Sequence, residues 1–212
     1  MSVIALTIDG DTPIVVTHRD NFADDGEAIL IQGADLNQLL TAAGGCNASY
    51  DLGVGPRYRD HRYPSSGDPL DEGESTKLLP GNAVIIETEE VVRFPLRRFG
   101  QILPRVTLLQ KGIANTPSKV DPGYNRRLLI TAFNHGKQPV KLTRGERFCS
   151  LHIFDIAGAI RPYDGAGKSL QNRPKLKWRR IFDWIDLHSG AIALISAILM
   201  FGLGILELFF RY

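Results

Sequence analysis

This chain is short of the residues that staple small domains or bind metal in them. Two cysteines, Cys46 and Cys149, stand in 212 residues without a CxxC pair. That spacing supports neither a disulfide framework nor a zinc ribbon. The five histidines, His18, His61, His135, His152 and His188, are scattered and suggest no metal site. Neither sign of charge dominates: the net charge is +2. Much of that excess gathers near the C-terminus, which argues for anionic lipid as a partner and against nucleic acid. No internal repeat is visible. The opening MSVIALTIDGD reaches an acidic residue early and lacks a basic start, so it does not read as a signal peptide.

One stretch lacks charge altogether. From Ala191 to Leu206 the sequence is AIALISAILMFGLGIL, continuing through Glu207 into LFF and Arg211-Tyr212. This is near the length an α-helix needs to cross a hydrocarbon core of about 30 Å, and no polar face interrupts it. The competing reading is a fully buried or oligomerising helix. Just upstream, Lys175, Lys177, Arg179 and Arg180 form a basic cluster, and only Arg211 lies beyond the apolar run. The positive-inside rule then places the N-terminal part in the cytoplasm, with the chain held in the inner or plasma membrane by a single span. Cytoplasmic thiols are expected to be reduced. Leu176, Trp178, Ile181, Phe182 and Ile185 recur at helical spacing, the pattern of an amphipathic helix lying at the interface or, more plainly, of a solvated linker helix. The expected organisation is a domain over 1–163, a tail over 164–175, an interfacial helix over 176–188 and a transmembrane helix over 189–210.

The body reads as mainly β. Short apolar runs at 29–31, 83–86, 102–103, 128–133 and 148–154 alternate with turn residues such as Pro80-Gly81-Asn82, Asp121-Pro122-Gly123 and Arg144-Gly145-Glu146, the pattern of a sandwich or barrel. One helix is expected near Ala34–Leu40, where Leu36, Leu39 and Leu40 share a face. The polar stretch 56–78 reads as a surface excursion.

The order of these pieces resembles the deoxyuridine triphosphatase (dUTPase) and dCTP deaminase superfamily. Ser49-Tyr50-Asp51-Leu52-Gly53-Val54-Gly55 is similar to its S-x-D-L-x-x-G strand. Arg105-Val106-Thr107-Leu108 stands where the family has R-S-S-L, and Val120-Asp121-Pro122-Gly123-Tyr124 resembles the nucleoside hairpin I-D-P-G-[FWY]. Asn134 with Leu142–Arg147 resembles the next turn and strand, and Tyr163–Gln171 the deaminase tail Y-x-G-K-Y-Q. The resemblance implies a dUTPase-like distorted jelly-roll barrel, a homotrimer, and nucleotide sites between subunits. It implies nucleotide-binding roles for Asp51, Arg105, Thr107, Tyr124, Arg126, Asn134, Lys168 and Gln171, with Mg²⁺ arriving through the phosphates. Asp121 stands at the position of the triphosphatase general base. Read alone, Asp121-Pro122-Gly123 is also plain turn chemistry, Arg105 a surface charge, Tyr124 a core residue, and Lys168 and Gln171 linker residues.

The departures from the family pattern bear on chemistry. Counting from the hairpin, the glutamate that shuttles protons in the deaminase branch falls on Thr131, whose hydroxyl cannot do that work near neutral pH. Val106 replaces the first serine, and Gln110 the second arginine. Asn125-Arg126-Arg127 follows the hairpin aromatic where the family has glycine, so Arg126 either fills the base pocket or meets a more anionic ligand. The expectation is a nucleotide-binding sensor or effector at a membrane, with antiviral defence as a speculative setting and deaminase chemistry eroded. The alternative is an active pyrimidine deoxynucleoside triphosphate hydrolase or deaminase. A third is a module that only oligomerises the anchor.

Overall fold

A computed structural model describes residues 6–7, 14–40, 46–61, 67–158, 160–165, 170, 189–190 and 193–200. The chain divides into two compact units, Met1–Arg173 and Pro174–Tyr212.

The first unit is mainly β. Its strands are β1 (Val15–Val16), β2 (Ile29–Gln32), β3 (Ser49–Asp60), β4 (Asp68–Pro69), β5 (Ser75–Leu78) and β6 (Ala83–Arg93). They continue as β7 (Arg98–Pro104), β8 (Ile113–Asn115), β9 (Ser118–Val120), β10 (Asn125–Asn134), β11 (Val140–Thr143) and β12 (Arg147–Asp155). A one-turn helix, α1 (Val106–Leu109), follows β7. The five apolar runs seen in the sequence all lie in strands, β2, β6, β7, β10 and β12. Their inward residues, among them Ile31, Ile86, Ile102, Ile130 and Leu151, form one apolar core. The strict alternation on β10, with Leu128, Ile130, Ala132 and Asn134 inward, is the period-two pattern of a strand with one buried face.

β3 is the corner of the architecture. Its first residues pair with β12, Asp51 opposite Ser150 and Gly53 opposite Arg147. Its later residues pair with β6, Tyr58 opposite Ile86 and Arg59 opposite Ile85. Between the two, the register against β6 shifts from Val54 to Tyr58. β6 makes the matching hand-over: β3 accompanies it as far as Thr88 and β2 from Val91 on, while β10 follows its other edge with a shift between Arg127 and Leu129. Bulges of this kind let one strand serve two sheets. Gly55 is the residue the corner requires, because a Cβ there would collide with the carbonyl oxygens of Glu87 and Thr88.

Two expectations are corrected. The helix expected at Ala34–Leu40 is a single 3-10 turn, Leu36–Gln38, capped by Asp35. Its residues are tied sideways instead of along a helix axis. Tyr50 Oη accepts from Asp35 N, and the Gln38 amide bonds both Asp51 N and Asp51 O. A seven-residue helix has little stability of its own to set against such ties. Only Leu39 of the three leucines is buried. The stretch 56–78 is not simply an excursion: β3 runs on to Asp60, and β4 and β5 follow. Pro56, which cannot donate to a ladder, sits inside the register shift, where no donor is needed. Leu70, Thr76 and Leu78 are buried.

In the second unit, residues 193–200 are helical, and Leu194, Ile195, Ile198, Leu199 and Met200 are exposed by 58–74%. Among the described residues no helix is long and apolar enough to cross a membrane. Most of the expected span at 189–210, and all of the interfacial helix at 176–188, lie outside the described residues.

Candidate functional site

The β3 corner and the end of β7 bring one charged cluster together. Pro104, last residue of β7, is opposite Cys149, and Ser150 is opposite Asp51. Arg105 therefore leaves its strand beside Asp51. Its Nε lies 2.9 Å from Asp51 Oδ2, and its Nη1 donates to Arg147 O at 2.6 Å. Ser150 Oγ donates to the other oxygen of Asp51 at 2.5 Å. Arg147 is in turn paired with Asp35 at 2.5 Å. Side-chain exposures of 27% for Arg105 and 22% for Asp51 leave both within reach of solvent. Thr107 lies exposed in the first turn of α1, beside Val106. The product is a guanidinium held by two acceptors and still accessible, the form of donor that suits a phosphate oxygen.

Beneath this cluster lies a buried acid. Glu90 is 5% exposed. It accepts from Tyr50 Oη at 3.0 Å and from Gly53 N at 3.0 Å. Burial pushes its carboxyl above the ordinary range, against the pull of those donors. Burial also raises the Tyr50 hydroxyl and the Cys149 thiol, with the Glu90 charge adding to both. Cys149 is thus a protonated, unreactive core residue, whereas Cys46 is exposed.

The second cluster is the turn between β9 and β10. Gly123 takes φ 80°, and Tyr124 N donates to Asp121 O at 3.1 Å. Asp121 pairs with Lys119 at 2.8 Å on the exposed side of this turn. Tyr124 Oη donates to Arg127 O at 2.7 Å. Burial, with the neighbouring Tyr163, pushes that hydroxyl up to about 12, so it stays a donor. The Tyr124 ring meets Tyr163 with centroids 5.5 Å apart, and Tyr163 N donates to Pro122 O at 2.8 Å. Arg126 is exposed on β10, opposite Val92. Its neighbour Arg127 turns back to the carbonyls of Thr88 and Glu89 and pins the β6 bulge.

Within the chain these clusters are not one site. Val120 is opposite Gly100, and Arg105 follows the far end of β7. At about 3.3 Å per residue, Asp121 and Arg105 stand roughly 20 Å apart along the strand. Asn134 lies at the opposite end of β10 from Arg126 and is buried. Its amide donates to Leu78 O and Gln138 O and accepts from Gly136 N, so its bonding capacity is used in shaping the β10–β11 turn. Thr131 sits in β10 opposite Ile85. Lys168 and Gln171 lie outside the described residues. Among the described residues no three of His, Cys, Asp and Glu cluster as a metal site.

Reasoning from motifs missed Gln38, Arg147, Ser150 and Arg127. Ser150 and Arg147 become visible only through the β3–β12 register, and Arg127 only through the bulge. Gln38 carried no signal, because its role is to bond the backbone edge of Asp51 on the next strand, which no side-chain pattern announces.

An Asp–Arg pair between the corner strand and the end of β7, and a tight Asp-Pro-Gly-Tyr turn beyond the other end of β7, give a mainly β protein two separated polar clusters. The family described as dCTP deaminase-like matches residues 24–156, and the chain belongs to it. It is 30% identical over 111 residues to a deoxyuridine 5'-triphosphate nucleotidohydrolase of Anaeromyxobacter sp., covering 50% of this chain and 76% of that one. It is 31% identical over 119 residues to a dCTP deaminase of Thermococcus gammatolerans, covering 56% and 74%. Against the Gloeothece citriformis nucleotidohydrolase it is 33% identical, and the match spans 65% of that relative, just under two thirds. The solved dCTP deaminase of Agrobacterium tumefaciens superposes with a TM-score of 0.45 at 18% identity, over 56% of this chain and 41% of that one.

Proposed function

We propose that this chain is a membrane-anchored nucleotide-binding protein of the dCTP deaminase-like family that acts as a sensor or regulatory effector and has lost deaminase chemistry. The observation that carries this reading is Thr131. It occupies the strand position of the deaminase-branch glutamate, and its hydroxyl neither takes nor gives a proton usefully at neutral pH. The anion-facing pair Asp51–Arg105 is kept meanwhile. In this reading the nucleotide lies between copies of a homotrimer, so that Arg105 and Thr107 of one copy meet Asp121, Tyr124 and Arg126 of another. The separation of the two clusters in one protomer supports that arrangement. Mg²⁺ would arrive on the phosphates. The carboxylates at hand, Asp51 and Asp121, are each already balanced by a cation, which suits a metal held mainly by ligand oxygens and water. The exposed apolar helix at 193–200 supports a bilayer anchor, with the N-terminal domain in the cytoplasm.

Calorimetry on the detergent-solubilised full chain tests the reading. Saturable binding of dCTP, dUTP or another nucleotide, with no ammonia released, is the expected result. Ammonia released from a cytosine nucleotide would overturn it, and recovery of the whole chain from a detergent-free soluble fraction would remove the anchor. A hydrolase reading is favoured by Asp121, which keeps the family turn with its carboxylate partly open to solvent. It requires pyrophosphate release from dUTP with Mg²⁺ that is lost in Asp121→Asn.

A further inference from the structure

Arg105 takes its bearing from a backbone carbonyl, and that carbonyl belongs to a bulge. Arg147 O accepts from Arg105 Nη1 at 2.6 Å. Arg147 stands opposite Gly53, and the register of β12 against β3 shifts between Arg147 and Cys149. A bulge disrupts the ladder locally, and its backbone groups need other partners where water is kept out. Here Gly53 N donates to the Glu90 carboxylate, 3.0 Å from Oε2, and Arg147 O is met by Arg105. The bulge is therefore held in the core by Glu90 and offers its carbonyl to a guanidinium that is still accessible.

Glu90 does not act alone. Its Oε1 accepts from Tyr50 Oη at 3.0 Å, and Tyr50 is fully buried. An ionised carboxylate has two oxygens that only accept, so it receives both donors at once. Tyr50 Oη in turn accepts from Asp35 N at 2.8 Å. Asp35 opens the 3-10 turn Leu36–Gln38, and its carboxylate pairs with the Arg147 guanidinium. Two routes thus lead from Glu90 to Arg147. One runs through Gly53 to its backbone, the other through Tyr50 and Asp35 to its side chain. Both end on the residue whose carbonyl holds Arg105 Nη1, while Asp51 holds only the Nε side.

We propose that Tyr50 and Glu90 are positioning residues for Arg105: buried beneath the cluster, they set the direction in which its guanidinium meets a phosphate oxygen. This rests on the nucleotide-binding reading above and adds to it the part of the core that sets the affinity of the site. A guanidinium aimed beforehand loses less freedom on meeting an anion, and arginine binds phosphate with a directional fork. Loosening the bulge lets Arg105 swing without removing any atom that touches the ligand. A residue that only stabilises the fold would lower affinity whatever stood at 105. A positioning residue acts through Arg105, so its effect vanishes when Arg105 is gone.

Calorimetry on the full chain in detergent, with dCTP and inorganic triphosphate as probes, each with Mg²⁺, makes the test a double-mutant cycle. Tyr50→Phe keeps the ring that fills the core and deletes the hydroxyl between Glu90 and Asp35. It is expected to bind both probes about fivefold more weakly, by the same factor for each, because the loss falls at the phosphates. In the Arg105→Gln chain the same substitution is expected to cost less than about twofold. Asp35→Asn, at the surface, cuts only the side-chain route and is expected to cost about twofold; it carries the test if Tyr50→Phe does not fold. The Nε–H resonance of Arg105, in a chain carrying isotope-labelled arginine and identified by its loss in Arg105→Gln, reads the same network without ligand. It should shift in Tyr50→Phe and in Asp35→Asn, and it decides the matter if Arg105→Gln binds too weakly to measure. A resonance that stays in place in both variants, a loss as large with Arg105→Gln as without it, or a loss confined to dCTP overturns the positioning role while the binding reading stands. A parent chain that binds neither probe overturns the binding reading, and the proposal with it.

Discussion

The β3–β7 corner and the β9–β10 turn carry the same kinds of groups and hold them differently. At the corner, Arg105 is fixed by Asp51 and by the Arg147 carbonyl, Asp51 by Ser150, and the Asp51 backbone by Gln38. At the turn, Asp121 is balanced by Lys119, two residues away on an exposed surface, and the Tyr124 hydroxyl reaches a carbonyl three residues on. The charged side chains of the corner are held by long-range partners, whereas at the turn the side-chain hydrogen bonds are local and only the backbone and the Tyr124 ring are tied to distant residues, Phe94 and Tyr163. Preorganised donors lose little on meeting an anion, so in the proposed nucleotide-binding reading the corner would take the constant part of the ligand, its phosphates. In the same reading the turn would take the part that varies.

Mutations sharpen that contrast. Gly55→Ala strikes the corner where two backbones meet, and the expected cost is on the order of 4 kcal/mol or a failure to fold, read by urea unfolding. Arg105→Gln removes a charged donor that is already accessible. It should weaken nucleotide binding about 10- to 100-fold, in keeping with ~1.5–3 kcal/mol for a charged hydrogen bond. Because the pair is partly solvated, stability should change by less than about 1 kcal/mol. If the melt falls as far as the affinity, Arg105 is a structural residue and the division fails. Tyr124→Phe deletes one local hydrogen bond and should cost about 1 kcal/mol in the same unfolding experiment. Glu90→Gln gives the finest test. A carboxyl whose pKa is raised on folding keeps its proton where the unfolded chain has released it. Stability therefore falls as pH rises from about 4.5 toward the folded value. The Gln variant should flatten that decline, and an unchanged slope would show that Glu90 does not cause it.

Much of the sheet was legible because its apolar runs are short, β-branched and bounded by turn residues, as at 83–86 and 128–133. The helix expected at 34–40 failed because leucine spacing reports a face only if the backbone continues to wind, and here Tyr50 and Gln38 divert it. Pro56 and its polar neighbours hid the continuation of β3, since a strand that changes sheets need not keep a simple alternation. For the site, Asp51 and Arg105 were found by motif and are in contact. Asn134 was found by motif but works on its own turn. Ser150 carries no pattern of its own, because its partner Asp51 is chosen by register; Arg147 closed a recognised motif, but its partner Asp35 lies 112 positions away.

The two thiols differ in one further respect. Cys149 is sealed in the core with its proton retained, while Cys46 faces solvent. A maleimide dye should therefore mark the native chain once and the denatured chain twice. The ratio of labels then counts folded molecules in a crude detergent extract, before any ligand has been found.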